Sequence, residues 1–225
     1  MSSVEAAPGG RSKVTVEVWA DLGCPWCYLG RHRLAEAIAR RSDRDRFTVQ
    51  IRSFELNPGA PRTPETIEQA FLRAHGGSAA SVLEAEGRMQ ALAMSEGLAY
   101  AVDRSNANTF DFHRVLHLAE ASGHGLAFFS YVQDQFFAGD LDPFAPGALV
   151  EAGRAVGLDE AAVRDVLDSD AFGDAVRADV AEGAALGATG VPFVVVGRRV
   201  AAAGAQSVDG YAQLLDAGVD AVAAS

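Results

Sequence analysis

The segment "KVTVEVWAD" (13–21) alternates. Val14, Val16 and Val18 point one way and Thr15, Glu17 and Trp19 the other, which is the two-residue period of a β-strand. "YLGRHRLAEAIARR" then places Leu29, Leu34, Ile38 and several alanines at helical spacing. This predicts a helix from Pro25 to about Arg41. Proline suits the first helical position, where its missing N–H has no intrahelical bond to lose. "RFTVQIRSFEL" (46–56) alternates again. The opening therefore reads β–α–β, and so long a connection predicts parallel strands.

From about 62 to 187 the pattern is helical almost throughout. "TPETIEQAFLRAHGG" offers Thr63 as a cap, Pro64 at the first position and Gly76–Gly77 as a stop. "SAASVLEAEGRMQALAMSEGL" follows. "NTFDFHRVLHLAEASG" reads as a helix starting from Asn108, with Asp111 in its first turn and Gly123 at its end. "LAFFSYVQDQFFAGD", "PGALVEAGRAVGLDE", "EAAVRDVLDS" and "FGDAVRADVAEGAALG" complete the set. Then "VPFVVVGRRVAAAGAQ" (191–206) gives a β-branched run, a Gly-Arg turn and a second apolar run, the pattern of a hairpin. "SVDGYAQLLDAGVDAVAA" closes with a helix. The expected class is α/β: β–α–β, a large all-helical insertion, then β–β–α. The expected organisation is a tail over 1–12, a sheet domain from 13–60 and 188–225, and an inserted helical domain over 61–187.

Composition narrows the function. At 225 residues, 49% hydrophobic and 22% charged, the chain reads as an ordinary soluble globular protein with a substantial core. No apolar run approaches the roughly 20 residues that span a bilayer. The net charge of −11 argues against nucleic acid or an anionic membrane surface as partner. The one basic cluster, "ARRSDRDRF" (39–47), falls where the first helix is expected to end, and arginines suit that end of a helix dipole. "MSSVEAAPGGRSK" lacks the apolar core of a secretory signal, so a cytoplasmic location is expected.

The chain has two cysteines, Cys24 and Cys27, both in "DLGCPWCYLG". Three readings compete: a redox pair, half of a metal site, or two core residues. A Cys-x-x-Cys between a strand and a helix favours the first. Free N–H groups and the macrodipole at a helix N-terminus stabilise a thiolate, which is the nucleophile. Cys27 lies three residues on and is placed to resolve a mixed disulfide. A structural zinc needs four ligands, and no second cysteine pair exists. His113 and His117 are spaced i, i+4 without the glutamate of H-E-x-x-H, so they read as a packed or solvated helix face and no metal is expected. Trp26, between the cysteines, is expected to be partly exposed and to meet substrate. Pro192 opens a predicted strand, where a cis Val191–Pro192 bond would bare backbone groups for a bound peptide. The phenylalanines of "LAFFSYVQDQFF" (126–137) read as core before dimer contact, and monomer and homodimer both stay open.

These features together resemble a known group. Strand, CxxC, helix, helical insertion and "GVPFVV" are similar to the DsbA branch of the thioredoxin-like superfamily. "VEVWADLGCPWCYLGRHRL", "FELNP", "NANTFDFHRVLHLA", "GVPFVVV" and "GAQ" resemble its FrnE-like subgroup, over about residues 14–216. The resemblance implies a thioredoxin-like fold and a thiol–disulfide oxidoreductase, or disulfide isomerase, with Cys24 attacking and Cys27 resolving. It implies that Pro25 and Trp26 and the cis-proline loop of Val191 and Pro192 meet substrate. Asn108, Thr109 and His113 match an insertion segment facing the cleft; helix capping and packing are the alternative role for them. The implied substrate is a thiol or disulfide, protein or small molecule. Glutathione is a possible co-substrate, and glutathione or a thioredoxin-type protein the reductant, with no other cofactor.

One departure stands out. Many thioredoxin-like enzymes carry a buried acid six residues before the first cysteine, and here that residue is Val18. Asp21 is the candidate for proton transfer in its place; Glu17 is also near in sequence. A second function class remains, a glutathione-dependent isomerase or transferase of the 2-hydroxychromene-2-carboxylate isomerase type, acting on a small aromatic or polyketide substrate. Those chains and the related kappa-class glutathione transferases resemble this one but carry serine at the position of Cys24. A third is a non-catalytic chaperone or binding module.

Overall fold

The first alternating segment forms β1 (Val14–Ala20), one of the two inner strands of a four-stranded sheet. A computed structural model describes residues 12–224; the expected tail lies outside the described residues apart from Ser12. β1 runs parallel to β2 (Phe47–Ser53), with Val14 opposite Phe47 and Ala20 opposite Ser53. On its other side it runs antiparallel to β5 (Phe193–Val196), which turns back into β6 (Val200–Ala203). The strand order is β2-β1-β5-β6. The β5–β6 turn places Gly197 and Arg198 in the left-handed region, φ 59° and 55°, as a tight hairpin turn requires.

α1 (Pro25–Ala39) joins β1 to β2, and α9 (Val208–Ala223) closes the chain against α1, β5 and β6. Between β2 and β5 lie β3 (Glu65–Thr66), α2 (Ile67–His75), α3 (Ala79–Ser95), β4 (Ser105–Asn106), α4 (Phe110–Ala121), α5 (Gly125–Ala138), α6 (Ala148–Ala155), α7 (Glu160–Leu167) and α8 (Gly173–Ala185). The insertion is thus not all helical, because β3 and β4 pair antiparallel.

Both sheet faces are covered. Glu17 and Trp19, on the face opposite Val16 and Val18, are as buried as those valines. Trp19 packs on Phe193 and donates its indole N–H to the Asp179 carbonyl of α8 at 2.7 Å. Phe128, Phe129, Phe136 and Phe137 of α5 are buried in the main core, in line with the core reading of that segment.

Three local expectations need correction. α2 is capped by Thr66, not Thr63: Thr66 and Gln69 close a reciprocal capping box, and the cross-pairing of Glu65–Thr66 holds the chain extended up to that point. α4 has Thr109 at its N-cap position, without a side-chain capping bond, while the Asn108 side chain accepts the Phe110 N–H in a local turn. The last turn of α1 carries no basic residue. Arg41 is instead held by Asp43 and Asp216, and Arg40 by Glu36.

Candidate redox site

Cys24 is the N-cap of α1. Its extended backbone, φ −83° and ψ 113°, turns the side chain back over the first helical turn, where Sγ accepts the Cys27 N–H at 3.3 Å. A sulfur takes the place usually held by a Ser or Asp oxygen. The Cys24 thiol also reaches the Val191 carbonyl at 3.6 Å. The Val191–Pro192 peptide bond is cis. Gly30 lets this loop close on the helix: a Cβ there would stand 3.0 Å from both Pro192 Cγ and Tyr211 Oη.

Both cysteines are free and buried, Cys24 3% and Cys27 1% exposed. Their surroundings differ. Burial pushes the Cys27 thiol well above its ordinary range. The Cys24 sulfur adds to the rise by hydrogen bond and by charge, the Asp21 backbone works against it, and the Asp21 carboxylate adds to it. One sulfur is given a donor and the other is held protonated.

Asp21 stands at the end of β1, under the turn. Its Oδ2 accepts the Leu56 N–H at 2.7 Å and its Oδ1 lies 3.2 Å from Nε2 of His113. Its carbonyl accepts from the Cys24 N–H and from the Gln133 amide, each at 3.4 Å. His113 is 0% exposed, so it does not border an open cleft; α4 carries it beneath the redox turn. Thr109 is buried too. Asn108 donates to Glu55 and the Pro58 carbonyl, and it lines a separate hollow with Arg62, Asp111 and Phe112. Among the described residues neither of the two hydrogen-bonds to a cysteine sulfur. Val18 borders an apolar hollow between α1 and α5. Glu17 is turned to the other sheet face, where Arg52 and Arg198 hold it.

Trp26 is 47% exposed. With Gly23 and Pro25 it forms one wall of a cleft of about 760 Å³, and Leu56, Phe71 and Met89 form others. Sequence reasoning did not find these walls, which converge from the segment after β2 and from α2 and α3. Arg104 also lines the cleft but is neutralised by Glu86 at 3.0 Å and bonded to the Tyr100 hydroxyl. Among the described residues no cluster of three or more His, Cys, Asp or Glu side chains is placed to hold a metal, and no helix is long and apolar enough to cross a membrane.

A four-stranded sheet with a capped dithiol turn beside a cis-proline loop defines a thioredoxin-fold dithiol protein. The DSBA-like thioredoxin domain model matches residues 15–216, and the chain belongs to that family of oxidoreductases. Among solved structures, a probable DsbA oxidoreductase from Streptomyces coelicolor is 39% identical, covering 91% of this chain and 89% of its own, at a TM-score of 0.86. A 2-hydroxychromene-2-carboxylate isomerase shares the fold at 17% identity and a TM-score of 0.69, over 90% and 93% of the two chains. The cytosolic disulfide reductase DsbM from Pseudomonas aeruginosa, solved with GSH, shares it at 20% identity and 0.55, over 93% and 98%. No curated protein matched the chain.

Proposed function

We propose that the chain is a thiol–disulfide oxidoreductase working through the Cys24–Cys27 pair and a mixed disulfide. The observation that carries this is the Cys24 sulfur itself, capping α1 and holding the Cys27 N–H at 3.3 Å. There the sulfur stands at the helix end with a backbone N–H donor, the position from which a CxxC nucleophile attacks. It attacks a substrate disulfide, and one substrate thiolate leaves. The Cys27 sulfur then attacks Cys24, the Cys24–Cys27 disulfide forms, and the second substrate thiolate leaves; the reverse sequence oxidises a substrate dithiol. Disulfide isomerisation uses the same steps, with Cys27 releasing a stalled substrate. Pro25, Trp26, Val191 and Pro192 border the substrate. Asp21 takes part in removing the Cys27 proton, as the buried carboxylate in electrostatic contact with that thiol. The substrate is a protein or a small thiol or disulfide, the compartment the cytoplasm, and the reductant glutathione or a thioredoxin-type protein.

The test is equilibration with glutathione at fixed ratios, followed by thiol trapping. The pair should titrate as one two-electron couple between about −270 and −120 mV, the range of redox-active CxxC proteins. A pair that cannot form the disulfide overturns the proposal. Glutathione-dependent isomerase activity on a small aromatic substrate, retained in Cys27→Ser, would favour the isomerase instead, since such a reaction has no need of a resolving thiol.

A further inference from the structure

The cleft beside the dithiol turn is mostly apolar, and its charges stand in closed pairs. Trp26, Leu56, Phe71 and Met89 line it, and its volume of about 760 Å³ is that of a small-molecule site. Arg73, on one wall, is held by Glu65, and Arg104 by Glu86. Among the described residues no cation lining the cleft is left for a ligand carboxylate. One acceptor is left over. Glu86 lines the cleft and is 9% exposed. Its Oε2 takes two donors, the Tyr100 hydroxyl and an Arg104 N–H, each at 3.0 Å. Its Oε1 has no hydrogen-bond partner among the described residues and is not sealed from solvent.

The guanidinium that holds this carboxylate is itself fixed. It lies 4.2 Å from the centre of the Tyr100 ring and 4.5 Å from that of Phe137. The acceptor is therefore in place before a ligand arrives, which spares binding the cost of ordering it. Arg104 balances its charge, so what the cleft lacks is a donor and not a counter-ion.

We propose that the cleft takes an uncharged aromatic thiol or its disulfide carrying an N–H or O–H donor, with Glu86 as the residue that selects it. This rests on the dithiol mechanism above and names its substrate class. The aromatic body packs on Trp26, Phe71 and Met89, and its donor bonds Oε1 of Glu86. A ligand carboxylate is refused twice: it brings Glu86 no donor, and both arginines are already paired. A plain hydrocarbon ring enters but leaves Oε1 desolvated and unbonded. In one turnover the Cys24 thiolate attacks a sulfur of the diaryl disulfide, and one arenethiolate leaves. The Cys27 S–H loses its proton to water, its sulfur bonds to Cys24, and the second arenethiolate leaves. The dithiol gives up two electrons and the substrate disulfide takes them, so the reduced chain is the only reductant.

The experiment is single-turnover mixing of the full, reduced chain with diaryl disulfides bearing a para-amino, para-methyl or para-carboxylate group. Each is made in a phenyl and a biphenyl length, so that reach to Glu86 is covered. Arenethiol release is read by absorbance at neutral pH, where the arylamine is uncharged. Each rate is divided by the rate with dithiothreitol, which removes intrinsic reactivity. In the better-fitting length the amino compound should react ~10–100-fold faster than the methyl one, the scale of a hydrogen bond to a charged group. The carboxylate should be slower than both. Glu86→Gln keeps the shape but leaves the Arg104 charge unbalanced. It should cut the amino advantage to about threefold and speed the carboxylate ~10-fold relative to the methyl compound. Equal normalised rates for the amino and methyl compounds in the native chain overturn the proposal, whether or not the variant folds. A folded Glu86→Gln chain with native ratios overturns it too. A native chain that forms its disulfide but reduces only peptide disulfides overturns it in favour of a protein substrate. A native chain that cannot form the Cys24–Cys27 disulfide at all overturns the dithiol mechanism beneath it.

Discussion

At the scale of single residues, the two cysteines are made unequal by where their sulfurs point. Cys24 Sγ receives an N–H donor from the first turn of α1. Cys27 Sγ is surrounded by core, by Cys24 and by a carboxylate, all of which raise its thiol. Alkylation of the reduced chain by iodoacetamide near neutral pH should therefore label Cys24 at least about tenfold faster than Cys27, because only the thiolate reacts. Peptide mass mapping of partly labelled protein checks this; equal labelling would show that burial does not set the Cys27 thiol apart. Cys27→Ser should in turn accumulate a Cys24 mixed disulfide with substrate, visible as a mass increase that a reductant removes.

At the scale of elements, what was legible in the sequence was what local chemistry decides. β1, α1 and the β5–β6 hairpin follow from alternation, from Pro25 at the first helical position and from a Gly-Arg turn. The start of α2 was misplaced because Glu65–Thr66 pairs with Ser105–Asn106, some forty residues on, and no local signal announces such a ladder. Whether His113 faced the cleft or packed inside stayed open for a related reason. Its helix was clear, but its burial against Asp21 depends on how α4 docks under the end of β1. The seating of α8 on the sheet was equally hidden. Gly183 there gives Trp19 its space: an added Cβ would lie 2.7 Å from the indole Cδ1. A ring held by a hydrogen bond to Asp179 cannot give way cheaply. Gly183→Ala should cost about 1–3 kcal/mol, the usual scale of overpacking, despite the better helix propensity of alanine. Urea unfolding measures it, and a neutral or stabilising substitution would mean that α8 can shift off Trp19.

At the scale of the whole molecule, one ion network ties the insertion to the sheet. Arg52 of β2 reaches Glu17 of β1 at 2.8 Å and Asp179 of α8 at 3.1 Å. Arg198 of the hairpin turn joins Glu17 to Glu182, each at 2.7 Å. Burial alone pushes the Glu17 carboxyl up, but the Arg198 and Arg52 guanidiniums outweigh it and hold it below its ordinary value near 4.5. A carboxyl lowered in the folded state adds stability above that ordinary value, and the gain is lost as pH falls through the folded one. Arg52→Met leaves Glu17, 2% exposed, with half its compensation. The loss at pH 7 should be on the order of 3 kcal/mol. At about pH 3.5 it should shrink markedly, because in the variant Glu17 is then protonated and no longer needs a cation. Urea unfolding at the two pH values, followed by Trp19 fluorescence in a Trp26→Phe background, separates the cases. Trp19 reports directly, since its indole is anchored on the same α8 residue that Arg52 holds. Equal losses at both pH values would mean that Arg52 acts through packing alone, for its guanidinium also lies 5.9 Å from the centre of the Trp19 ring. A loss confined to neutral pH would make charge, not packing, the link between the insertion and the sheet that carries the dithiol turn.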